Sequence, residues 1–124
     1  MEPLVEKKHS EREGVTIFLL ARIKEKALVA SFTGKHFSGF EVHLIKVQKE
    51  GTQTINGHEI HYQEKELYRT GRDFGVSAWH YPYLELALID HPEFKSFKLL
   101  INGKLQRLID ETMLNSDNHR GSDE

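Results

Sequence analysis

Cysteine is absent from all 124 residues, which excludes disulfides, thiolate metal sites and cysteine nucleophiles together. The absence fits a reducing compartment, and the chain reads as cytoplasmic. Neither sign of charge dominates. Lys and Arg number 17 against 19 Asp and Glu, a formal net charge of -2, so the broad basic field of a nucleic-acid-binding domain is missing. Long apolar runs are missing too. The longest, Val15 to Ala21, stops at Arg22, far short of the roughly 20 residues a membrane-spanning helix needs. Glu2, Glu6, Glu11 and Glu13 precede it where a signal peptide would carry basic residues. Serine nucleophiles find no setting either, because Ser31, Ser38, Ser77 and Ser96 lack a Gly-x-Ser-x-Gly elbow.

What is present suits one domain with one hydrophobic core. Apolar residues make up 38%, including seven Phe, four Tyr and a single Trp, while charged residues make up 29%. Residues 1–13 are mostly charged, with only Leu4 and Val5 as sizeable apolar side chains, and predict a flexible, loosely docked segment. Residues 115–124 contain nothing apolar and predict a disordered tail. The folded domain is then expected over 14–114.

Within it, 15–23 is too continuously β-branched and aliphatic for a one-sided helix and predicts a strand. Lys24-Glu25-Lys26 breaks it and 27–32 resumes, giving a hairpin. Gly34-Lys35-His36 is the next break and Gly39 a candidate bulge. Phe40, Val42 and Leu44 then alternate with Glu41 and His43 as a half-buried strand. Asn56-Gly57, between β-favouring flanks, predicts a second hairpin, because both central residues of a type I′ turn take positive φ. From about Tyr81 to Asp90 the spacing of Leu84, Ala87 and Leu88 is helical, with Pro82 in the first turn. Asp90-His91-Pro92-Glu93 reads as a capping box. Residues 94–103 fit either a strand ending at Asn102-Gly103 or a helix through Phe94, Phe97 and Ile101. A final helix is expected over 104–114. The fold class is α+β: an antiparallel sheet of about four to five strands followed by one or two C-terminal helices packed on it.

Phe40-Glu41-Val42, then Phe74-Gly75-Val76-Ser77-Ala78-Trp79, then Leu84-Glu85-Leu86-Ala87 form a spaced pattern over roughly residues 40–88. It resembles a loose group of small uncharacterised proteins of phages, plasmids and other mobile elements. Those look like an aromatic-Glu-Val strand, a polar hairpin and a Phe-Gly-x-x-Ala-Trp motif leading into a helix. This chain has His80 where the group usually carries Thr or Ser. The resemblance implies a compact α+β fold and carries over no catalytic residue.

Five constellations bear on chemistry. Phe74, Gly75 and Trp79 read as a structural plug where the sheet hands over to a helix, with an aromatic ligand pocket as the alternative. His43 and His61, with Glu41 and Glu59 as neighbours, would share one face if their strands paired, and are the metal candidates; His58 and His61 point to opposite faces of a strand. Lys95, Lys98, Lys104 and Arg107, interleaved with Phe94 and Phe97, are the candidates for contacting single-stranded nucleic acid. Asp73-Phe74-Gly75 copies the magnesium-binding triplet of protein kinases without their glycine-rich loop. Glu93-Phe94-Lys95 lacks the adjoining strand acid of metal-dependent nucleases. No convergent acid, base and nucleophile is present. The leading expectation is a non-catalytic interaction module with a protein partner, no cofactor and no resident metal. The alternatives are a metal-dependent enzyme built on the histidine and carboxylate set, and a weak nucleic-acid binder.

Overall fold

The computed structural model describes the backbone of residues 1–122 and the side chains of residues 1–113. Five strands make the main antiparallel sheet: β1 (Lys7–Ser10), β2 (Val15–Ile23), β3 (Lys26–Thr33), β4 (His36–Leu44) and β9 (Ala78–Tyr81), in the order β1-β2-β3-β4-β9. The first four follow one another as a meander, because short turns at Gly14, Lys24 and Gly34, all at positive φ, return the chain on itself. β3 is central and its residues 27–32 are all buried, the burial of a strand covered on both sides.

Alternation along the strands then defines two cores. On one face Leu28, Ala30 and Phe32 of β3 meet Phe40 and Val42 of β4, Leu20 of β2 and Tyr81 of β9. Helix α1 (Leu84–Asp90), a 3-10 segment over Pro92–Phe97 and helix α2 (Lys98–Ser122) cover this face with Leu84, Ala87, Leu88, Phe94 and Ile101. On the other face Ala27, Val29 and Ile17 pack with Leu4, Ile45 and Tyr68. Among the described residues no α-helix contributes to this second cluster.

Between β4 and β9 the chain makes a long two-stranded arm. β5 (Lys46–Gln48) pairs with β8 (Lys65–Leu67), and β6 (Gly51–Ile55) pairs with β7 (His58–Tyr62), both in one shared register. Asn56 at φ 50° and Gly57 at φ 78° close the tip as their positive-φ turn requires. Arg22 clamps the base through a bidentate pair with Glu66, at 2.5 Å for each bond. That guanidinium holds the Glu66 carboxyl below the usual range.

Packing corrects three expectations, the N-terminal segment, the start of α1 and the capping box at Asp90, and decides between the two readings of 94–103. The N-terminal segment is ordered: β1 extends the sheet beside β2, Leu4 is buried on the second face, and its N–H donates to Glu66 Oε1 at 3.0 Å. One apolar side chain in a waiting groove outweighs the charged surroundings of residues 1–13. Helix α1 starts at Leu84 rather than near Tyr81, because residues 78–81 pair with β4. Pro82 also disfavours a helical conformation for Tyr81. The segment 94–103 is 3-10 and then α-helical, with Asn102-Gly103 inside α2. Burying Phe94 and Ile101 completely on the core decides against a turn there. The capping box at Asp90 does not form. His91 is the N-cap of the 3-10 segment, with no side-chain cap bond, while Asp90 accepts the Tyr81 hydroxyl instead. The tail expected to be disordered, 115–124, lies outside the residues whose side chains are described, and the backbone of α2 is helical to Ser122.

Gly39 sits where β3 and β4 shift register, at φ 133°. A Cβ there would fall 2.8 Å from both His80 Nε2 and the Tyr81 carbonyl oxygen. Gly39→Ala is therefore expected to lower stability by about 1–3 kcal/mol, the cost of a residue forced into a disfavoured backbone region. Urea unfolding at fixed pH measures it; an unchanged midpoint would show that β9 yields at no cost.

Candidate functional site

On the second face, β2 and β4 form the floor of an open pocket of about 190 Å³. Val15 and Ile17 supply its apolar base, Glu41 and His43 its polar corner, and Arg69 and Phe74 its wall, with Lys8 and Glu13 at the other end. Thr70 N–H caps Asp73 Oδ2 at 3.0 Å and shapes the 3-10 turn Gly71–Asp73, which brings Phe74 back over the sheet. Gly75 follows at φ 93°, and its N–H donates to the Ala78 carbonyl at 2.7 Å, launching β9.

His43 is the buried centre of this corner, 1% exposed. Arg69 donates its backbone N–H to Nδ1 at 3.0 Å, so Nδ1 is the acceptor nitrogen. Nε2 then carries the proton and donates it to Glu41 Oε1 at 2.8 Å. The rings of Tyr68 and Phe74 pack edge-on against the imidazole at 5.5 and 5.6 Å. Both ring nitrogens are thus committed inside the protein, and neither is free to take a proton from a substrate. The pocket can hydrogen-bond and pair charge with a ligand through Lys8, Ser10, Glu13, Glu41, Arg69 and Thr70.

The metal candidates separate. Glu41 and His43 touch, but His61 and Glu59 lie exposed on β7 of the arm, where His61 meets Thr52 at 3.2 Å. The arm pairs with itself, not with β4, which is why the pairing that would align His43 with His61 does not arise. Among the described residues no group of three or more His, Asp and Glu is placed to hold an ion. The basic candidates also divide: Lys104 pairs with Glu6 at 3.1 Å, while Lys95, Lys98 and Arg107 are exposed. Phe94, expected beside them as a stacking ring, is fully buried in the core. Of the structural trio, Phe74 covers His43 and Trp79 is half-buried in β9, five residues before α1 begins.

A second polar cluster had no signature in the sequence. His91 is 5% exposed at the junction of α1 with the 3-10 segment. Tyr81 gives its hydroxyl proton to Asp90 Oδ2 at 2.9 Å, so at 3.0 Å its oxygen must accept from His91 Nε2–H. His91 Nδ1 then accepts from Lys26 Nζ at 3.0 Å, and Lys26 also binds Glu93 Oε1 at 2.6 Å. Burial and the Asp90 carboxylate push the Tyr81 phenol up to about 12. Burial, then the Lys26 ammonium, pull the His91 imidazole below its ordinary value. The cluster joins β3, β9, α1 and the 3-10 segment, from residues as far apart as 26 and 93. No spacing rule links them.

Among the described residues no helix is long and apolar enough to cross a membrane. Compared with protein-family models, with curated proteins and with solved structures, the chain matches none.

Proposed function

We propose that this chain is a non-catalytic interaction module that docks a protein partner through the outer face of its helical layer. One observation carries the reading. Ile89 on α1 and Leu99 and Leu100 at the start of α2 are 68%, 90% and 57% exposed, with Tyr83 and Leu86 also solvent-facing. These side chains lie within one continuous stretch, 83–100, whose helices and 3-10 segment pack in succession. So many large apolar side chains turned to water over one short stretch favour an interaction surface on the helical layer. The committed nitrogens of His43 support the same reading from the chemical side. The motif resemblance to mobile-element proteins supports a role as an accessory protein acting on a host or self protein in the cytoplasm.

The test is a double variant, Ile89→Glu with Leu99→Glu. Because both positions are exposed, stability should stay within about 1 kcal/mol of the wild type. Proteins captured from a lysate by the wild type should be lost from the variant. Equal capture by both forms would move the interaction away from this face. Sedimentation of the purified chain separates a second copy of itself from a foreign partner.

A further inference from the structure

Every hydrogen-bonding position on the His91 ring is matched to the neutral imidazole. Nε2–H points at the Tyr81 oxygen, whose own proton is spent on Asp90, and Nδ1 accepts from the Lys26 ammonium. A proton arriving from solvent at Nδ1 would turn an acceptor into a donor, facing a cation at 3.0 Å. A carboxylate oxygen that could accept from that new N–H, Glu93 Oε1, lies 3.9 Å away and is bound to Lys26.

We infer that His91 is an acid-operated latch between the helical layer and the sheet. Protonation at Nδ1 transfers Glu93 from Lys26 to the imidazolium and releases Lys26, freeing α1 and the 3-10 segment from their polar tie to β3. The charged and titratable groups facing the ring are Lys26 from β3, Tyr81 from β9, Asp90 from α1 and Glu93 from the 3-10 segment. Burial and Lys26 oppose protonation, whereas Glu93 and Asp90 favour it, and the balance is downward from 6.5. The fold therefore prefers the neutral ring. Its contribution to stability is complete above pH 6.5 and is lost as pH falls from there through the lower value held in the folded state. The latch acts inside the domain and is independent of what docks on the outer helical face.

The chain carries its own reporter. Trp79, the sole tryptophan, lies with its ring centroid 5.2 Å from that of His91, and an imidazolium quenches indole emission far more than a neutral imidazole does. Titrating the full chain from about pH 7.5 to about 4.5, across the histidine range, should give one reversible fall in Trp79 emission. Its midpoint should lie below 6.5, with the far-UV circular dichroism retained. The thermal midpoint should drop over the same window. His91→Gln, which can donate to Tyr81 and accept from Lys26 without titrating, should abolish both changes. Lys26→Met should move the emission midpoint up and Glu93→Gln should move it down. These two shifts decide the matter if the glutamine variant does not fold. A flat wild-type trace, a step that survives His91→Gln, or midpoint shifts of the opposite sign would overturn the latch.

Discussion

Removing residues 1–10 is expected to lower the thermal midpoint by roughly 10 °C, equivalent to about 3 kcal/mol in a domain of this size. The deletion takes away β1, a whole edge strand of the main sheet, and Leu4, which is 7% exposed between the sheet and Tyr68. Losing the burial of one leucine costs about 1.5–3 kcal/mol. The deletion also uncovers apolar surface on Ile17 and Tyr68. The Tyr68 hydroxyl loses its acceptor, the Val5 carbonyl, at 2.5 Å, and Glu66 loses the Leu4 N–H. Water can replace that acceptor once the segment is gone, so the loss is the net worth of one hydrogen bond, about 0.5–1.5 kcal/mol. Scanning calorimetry on the full and shortened chains measures the difference; a shift of a degree or two would mean that the segment contributes no more than a surface strap. Leu4→Ser in the full chain isolates the side chain from the strand and should recover a large part of the loss.

Phe94→Ala should cost about 3–5 kcal/mol, the usual result of emptying a large aromatic site in a core. Phe94 is fully buried, and it holds the 3-10 segment against both α1 and the sheet. The segment has little else with which to resist collapse or opening, because Phe94 is its one buried residue. Phe97, three residues on, is 37% exposed, so Phe97→Ala should stay within about 1 kcal/mol. Chemical denaturation of the pair reads the contrast directly. Equal effects would place the two rings in equivalent surroundings and contradict the arrangement described.

Much of the architecture is legible along the chain because it depends on neighbours in sequence. The hairpins at Lys24-Glu25 and Asn56-Gly57 follow from turn residues between β-favouring flanks, and the apolar spacing of Leu84, Ala87 and Leu88 marks the buried side of α1. Glu41 and His43 could be paired on one face of one strand by parity alone. Their meaning could not. Alternation describes β4 as half-exposed, yet the 64–74 segment and the N-terminal residues return to cover the polar side, so His43 is sealed and its nitrogens are spent on Glu41 and Arg69. The Asn102-Gly103 pair is a turn signal by local chemistry, and it is overridden because Ile101 finds a fully buried place on the core.

The order of hairpins, the α+β class and the polarity of the strands are set by the sequence itself, since backbone conformational preference and apolar periodicity act between adjacent residues. Tertiary packing alone decides which polar groups lose water and what replaces it. Leu4 docks because Tyr68 and β2 leave a groove for it, and His91 meets Lys26 across 65 residues because the start of β3 lies beside the junction of α1 with the 3-10 segment. Desolvation and hydrogen-bond partnership depend on contacts between distant parts of the chain, so the interior chemistry of this protein exists only once the sheet and its two covers have closed.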